Sequence, residues 1–155
     1  MEITIEPVSA PTPEAVALIA ELDAVLGALY EAHQRHGLSV EQVFEAHVRF
    51  FIARLSGQAA GCGALALFDG YAEVKRMYTR PAARGRGIGK ALLARVAAAA
   101  GEAGKPVLRL ETGTEQAVAI RLYEGYGFRP CAVFGHYAAM EPHRISTSLF
   151  YEMSL

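Results

Sequence analysis

Apolar and polar residues alternate or recur along this chain in a way that sets out its elements before any composition is considered. Residues 2–8 alternate and predict a short first strand. From Pro13 the apolar positions Val16, Ile19, Ala20, Leu22, Leu26 and Leu29 recur at helical spacing, with Thr12 as the cap and Pro13 in the favoured first turn. Gly37 is expected to end this helical region, and Ser39 with Gln42 to open a second, short one through reciprocal capping. Residues 47–55 and 59–68 read as strands joined by Ser56-Gly57-Gln58, and Asp69-Gly70 turns the chain into a third strand over 72–79. Ile88, Leu92, Val96 and Ala99 step by three and four, which predicts an amphipathic helix packed on a sheet and ended near Gly101 and Gly104. A strand at 107–112, a helix at 115–124 and extended stretches near 129–134 and 146–153 complete a β-α-α-β-β-β-α-β-α-β-β order, a mixed α/β layout.

Between the 72–79 strand and the following helix lies Arg84-Gly85-Arg86-Gly87-Ile88-Gly89-Lys90. A helix N-terminus offers unpaired N–H groups and partial positive charge, and glycine lets that backbone approach an anion. The stretch is an anion cradle. It is not the phosphate loop of nucleotide hydrolases, because Ala91 follows Lys90 where Ser or Thr is needed, and its G-x-G-x-G spacing is not the dinucleotide fingerprint.

What remains is R-x-x-G-x-G on Arg84, Gly87 and Gly89, after a strand and before an apolar helix. It resembles the acetyl-CoA signature of the GCN5-related N-acetyltransferases (GNAT). A second segment carries the same resemblance: the strand Val107–Thr112, a helix holding Ala119 and Tyr123, and then Gly127-Phe128, which match an A-x-x-x-Y-x-x-x-G-F ending. The likeness runs from about residue 58 to the C-terminus and is loose before that.

The resemblance implies a GNAT-like fold in one domain over residues 1–155: a mixed, mostly antiparallel sheet flanked by helices, with two parallel central strands that splay apart. It implies that the backbone of Met77, Tyr78 and Thr79 pairs with the pantetheine arm. It also implies that Arg84, Gly85, Arg86, Gly87, Ile88, Gly89 and Lys90 hold the pyrophosphate. Gln116 stands where many relatives keep a cofactor-contacting Asn. Tyr123 takes the place of the general acid that protonates the departing thiolate. Amine attack also needs a neutral amine, and a group of pKa near 10 is only about one part in a thousand neutral at pH 7. Glu73 is the candidate to attract the substrate cation or relay its proton, with Glu111 a second; His136 and Tyr137 resemble an acceptor-lining segment.

Composition narrows the function. At 155 residues with 52% hydrophobic and 20% charged residues, the chain is of ordinary globular type. A net charge of −1 gives no bulk field toward nucleic acid or an anionic membrane. Cys62 and Cys131 have no metal-ligand spacing with the five histidines and read as buried thiols; no metal is expected. The absence of a leader-like start and of a membrane-length apolar run makes a cytoplasmic location the expectation. The expected activity is acetyl transfer from acetyl-CoA to a primary amine of a small molecule by direct attack. Acetylation of a peptide or protein and non-catalytic acyl-CoA sensing stand as the alternatives. A homodimer to which Leu149-Phe150-Tyr151 contributes is a further expectation of the resemblance.

Overall fold

The computed structural model describes residues 2–155. Seven strands form one sheet in the order β1-β2-β3-β4-β5-β7-β6: β1 Ile3–Val8, β2 Val48–Leu55, β3 Gln58–Phe68, β4 Tyr71–Thr79, β5 Val107–Gly113, β6 Arg129–Pro130 and β7 Ser148–Ser154. Three α-helices flank it: α1 Pro13–Leu29, α2 Ile88–Glu102 and α3 Ala117–Tyr126. All neighbouring strands are antiparallel except β4 and β5, which α2 connects and which run parallel.

Local chemistry accounts for most of the boundaries. Thr12 Oγ1 accepts the Ala15 N–H at 3.2 Å and starts α1, with Pro13 behind it. Ser56 and Gly57 both take positive φ, which the tight turn between β2 and β3 requires. Ser39 and Gln42 bond each other's backbone at 2.9 and 3.2 Å, but the segment they open is a single 3-10 turn, Gln42–Phe44. Helix α1 ends at Leu29 rather than near Gly37; the chain turns extended at Tyr30. Gly37 has a different reason to be small, since the Arg76 side chain occupies the space a Cβ would take. Only Arg129 and Pro130 of the expected 129–134 stretch join the sheet, antiparallel to β7. β7 lies between β5 and β6, so Phe150 and Tyr151 are used in cores within the chain.

The sheet separates two packings. On one face α2 and α3 cover Ala72, Val74, Leu108, Leu110 and Tyr151. On the other, α1 buries Leu18, Ile19 and Leu22 against Phe50, Ile52, Cys62 and Ala64, and an aromatic group of Phe134, Tyr137 and Phe150 fills the end beside β5 and β7.

Two irregularities in β4 open the middle of the sheet. Its parallel pairing with β5 lasts three rows, Ala72 with Leu108, Glu73 with Arg109 and Val74 with Leu110. Both strands then continue without pairing, so they splay as the resemblance implied. Across from β5, Cys62 faces Tyr78 while Ala64 faces Lys75, so Arg76 and Met77 together oppose Gly63 in a bulge. Arg76 sits there at φ +54°, a conformation unfavourable for a side chain bearing a Cβ. Its surroundings hold it: the guanidinium pairs with Asp23, and the Cys62 thiol donates to its carbonyl at 3.3 Å. A Cβ on Gly63 would come within 2.6 Å of Met77 Sδ, so glycine makes room for the bulge.

Candidate active site

The glycine-rich loop leads into the start of α2 as the sequence predicts. After a 3-10 turn at Pro81–Ala83, Arg84 donates from Nε to the Thr79 carbonyl at 3.4 Å. Gly85 and Gly87 take φ of +77° and +85° with open space where a Cβ would stand. Gly87 caps α2, no side chain caps the helix start, and no acidic residue lies in its first turn. The N–H groups of Ile88, Gly89 and Lys90 have no preceding turn to bond to, so they suit a phosphate. Ile88 itself is buried, so only its backbone can serve. Gly89 lets α2 approach α3, because a Cβ there would lie 3.0 Å from Leu122 Cδ2.

From the cradle the unpaired edge of β4 leads inward along Thr79, Tyr78 and Met77. Tyr78 is buried and donates to Glu21 Oε1 at 3.2 Å, which leaves its backbone rather than its ring for the gap. Met77 joins Val74, Glu111, Gln116 and Tyr123 in lining a pocket of about 80 Å³ where β4 and β5 part.

Tyr123 reaches it from α3. The residue is 6% exposed, and its ring packs edge-on to Phe128 at 5.9 Å. Its hydroxyl makes no hydrogen bond among the described residues. Burial, and then the nearby Glu111, push its pKa well above the usual phenol value, so it keeps its proton at neutral pH. Gln116 caps α3 and turns its Oε1 toward Gly113 N at 2.9 Å and Thr112 Oγ1 at 3.4 Å; the amide NH2 is left for the pocket.

Glu73 and Glu111 have different surroundings. Glu73 is 1% exposed and does not line the pocket; its Oε2 accepts from Tyr137 OH at 2.5 Å and from Lys75 Nζ at 3.3 Å. Lys75 also donates to Tyr137 OH at 2.8 Å and to the His36 carbonyl at 3.0 Å, which uses all three of its N–H groups. Tyr137 is fully buried, and burial followed by the Glu73 charge drives its pKa far up, so the phenol proton stays on oxygen and points at Glu73. His136 lies tilted over the Tyr137 ring, 4.2 Å between centroids, and does not line the pocket. Glu111 does line it. Burial raises its pKa, opposed by a 2.7 Å hydrogen bond from Ser148 and by the Lys75 and His36 charges.

The segment after α1 contributes groups that the motifs do not predict. Tyr30 crosses to the β5–α3 turn, where its hydroxyl accepts the Glu115 N–H at 2.8 Å over the face of Gly113. His36 lies 2.7 Å from the Arg144 carbonyl through Nε2. A carbonyl can only accept, so Nε2 carries a proton and donates it there. Arg35 lines the pocket beside it.

A family model of the acetyltransferase (GNAT) domain matches residues 46–130, from the start of β2 to the end of β6. The chain belongs to the GNAT acetyltransferases. An IAA acetyltransferase of Azospirillum brasilense is 47% identical over 124 residues, covering 79% of this chain and 81% of that protein. A solved Klebsiella pneumoniae protein, assigned as an acyl-CoA N-acyltransferase, superposes with a TM-score of 0.79 at 35% identity over 99% of this chain and 97% of its own. The fold is shared with a GNAT acetyltransferase of Elizabethkingia anophelis solved with acetyl-CoA bound, TM-score 0.72 at 22% identity over 99% and 98% of the two chains. The expected acetyl-CoA cosubstrate agrees with that family.

Within this GNAT chain Met77, Gln116 and Tyr123 of the residues expected on the donor side line the pocket at the splay, and the 84–90 loop follows β4 into the start of α2. The expected acceptor residues divide. Glu111 faces the pocket, whereas Glu73, His136 and Tyr137 stand behind its wall. Both cysteines are free thiols; Cys62 is buried and its pKa pushed up to about 12 by burial, and Cys131 is half-buried. No group of three or more metal-ligating side chains and no helix long and apolar enough to cross a membrane occurs among the described residues.

Proposed function

We propose that the protein transfers the acetyl group of acetyl-CoA to a primary amine of a small molecule by direct attack, with Tyr123 as general acid. The observation that carries this reading is the pocket at the splay, where the unbonded Tyr123 hydroxyl and the Glu111 carboxylate line one small space. A neutral amine nitrogen attacks the thioester carbonyl carbon, the C–S bond breaks, and the leaving sulfur takes a proton from Tyr123. A backbone N–H on the open β4 edge would donate to the oxyanion. A phenol is ordinarily too weak an acid for a thiolate. Burial raises phenol and thiol alike, as at Tyr123 and Cys62, so the proton moves as the C–S bond breaks, while the sulfur is gaining charge, rather than as a separate later step.

Glu111 takes the proton of the incoming ammonium, directly or through water. Glu73 acts through its neighbours: it holds Lys75 and Tyr137, and Lys75 holds the His36 carbonyl. The small-molecule reading rests on the segment from Tyr30 to His36, which is tied to Glu115 at one end and to Arg144 at the other. The two ties fix a segment whose Tyr30, Arg35 and His36 line the pocket, which favours a small acceptor over a polypeptide.

Calorimetry with acetyl-CoA, followed by thiol release with a panel of small amines, peptides and IAA (the acceptor in the Azospirillum relative's name), tests the reading. Binding with release on small amines is expected, and Tyr123→Phe should lower turnover by about 100-fold while acetyl-CoA affinity changes less than about threefold. Release on peptides alone would move the acceptor to polypeptides. Full turnover in the variant would leave Tyr123 a packing residue.

A further inference from the structure

The pocket contains one cation with nothing to bind. Among the described arginines that are not exposed, Arg54, Arg76, Arg80, Arg95 and Arg109 each rest on a carboxylate or an aromatic ring. Arg35 rests on neither. Its guanidinium lies over α1 at Gly27, where a Cβ would come within 3.4 Å of Nη1, and its Nε is buried with no acceptor. A buried N–H without a partner loses its hydration for nothing in return, at about 1–3 kcal/mol, unless a ligand supplies the acceptor.

The other cations around the pocket are committed. Lys75 spends its three donors on Glu73, Tyr137 and the His36 carbonyl; Arg76 also has a buried Nε without an acceptor, but its charge is paired with Asp23 through Nη2. Arg35 is left to meet an anion, and the fork of its two terminal nitrogens, which unlike Nε are not buried, matches a carboxylate. The same pocket presents Glu111, which suits an ammonium, and Tyr123 beside it. Opposite charges within one small pocket select a molecule that carries both.

We propose that the acceptor is a small amino carboxylic acid and that Arg35 binds its carboxylate while the amine lies toward Glu111 and Tyr123. This inference rests on the reading of acetyl transfer to a small amine. It adds Arg35 as the residue that determines acceptor class. Because the carboxylate is held before and during attack alike, the interaction acts mainly on KM.

Thiol release from acetyl-CoA with matched pairs tests it: phenylalanine, methionine and lysine, each against its amide, and phenylalanine also against phenethylamine. The wild-type protein should use the carboxylate member of a pair at least about tenfold better in kcat/KM. Arg35→Gln should erase that preference through KM, and Arg35→Lys should restore part of it. Unchanged acetyl-CoA affinity in both variants shows that the fold and donor side are intact. Equal or better use of the amides and of phenethylamine by the wild type would overturn the proposal, as would a preference that survives Arg35→Gln. Those outcomes leave acetyl transfer standing, whereas failure to bind acetyl-CoA or to release thiol with any amine would remove the reading beneath it.

Discussion

The proposed donor and acceptor sides of this site are built from different parts of the chain. The donor side is main chain: the 84–90 loop, the start of α2 and the unpaired edge of β4 present backbone N–H groups from one continuous stretch. The proposed acceptor side is side chain: Arg35, His36, Lys75 and Glu111 arrive from three separate segments, with Lys75 bonded to the His36 carbonyl and to Glu73 and Tyr137 behind it, and Glu111 bonded to Ser148. A main-chain site tolerates changed side chains and fails when φ changes. A side-chain site fails when one buried charge loses its partner. The same active site therefore has two distinct weaknesses, each of which can be probed without the other.

The largest effect is expected behind the acceptor wall. Glu73→Ala leaves the Lys75 ammonium, in a residue 8% exposed, facing only a phenol and a carbonyl. Breaking a buried pair this way costs about 3 kcal/mol, to be read by denaturant unfolding. Adding Lys75→Met should recover at least part of that loss, because the orphaned charge is then gone. Acetyl-CoA affinity should stay within about threefold throughout, since the cradle shares none of these bonds. A Glu73→Ala protein as stable as wild type would show that the wall does not depend on the pair.

The reverse experiment addresses the main chain. Gly87→Val places a branched Cβ at φ +85°, with open space around it but a backbone conformation it resists, at about 1–2 kcal/mol. The start of α2 should shift and acetyl-CoA Kd rise about tenfold. Lys90→Ala removes a nearby exposed charge from the same loop and should change Kd less than about threefold. Equal losses in the two variants would mean that the loop binds by charge rather than by backbone shape.

This difference also explains what the sequence made legible. The 84–90 loop was readable because such a turn needs glycines at fixed places, and Gly85, Gly87 and Gly89 stand at consecutive odd positions where α2 begins. The hairpins were readable from Ser56-Gly57 and Asp69-Gly70 for the same reason. Half of the wall was available too: Glu73 and Lys75 alternate onto one face of β4, and opposite charges two apart in an apolar strand are a local signal of a pair. Their third member, Tyr137, is 62 residues from Lys75 and leaves no such mark. The bulge at Arg76 is hidden as well, because the residues that permit it, Gly63 and Gly37, lie on other segments. Gly37 read as a helix end for want of that contact. Arg35 and His36 acquire meaning only once the chain after α1 folds back over the splay.

The smallest expected effect separates the two sides by their dryness. Burial raises the pKa of Glu111 above its ordinary value of 4.5, so folding favours its protonated form. The stability this gives is complete below the unfolded value and is lost as pH rises through the folded one, after which the folded protein holds a desolvated carboxylate. Glu111→Gln cannot ionise, yet its amide oxygen can still accept from Ser148. The variant should therefore match wild type near pH 4 and melt roughly 2 °C higher at pH 8, with the gap opening between. If Glu111 also receives the ammonium proton, the stabler variant is the slower one, with acetyl-CoA affinity unchanged. A melting difference that stays constant with pH would mean that Glu111 ionises in water. The acceptor pocket would then be wet, and neither Tyr123 nor Arg35 would draw on a dry surrounding to strengthen its hold on substrate.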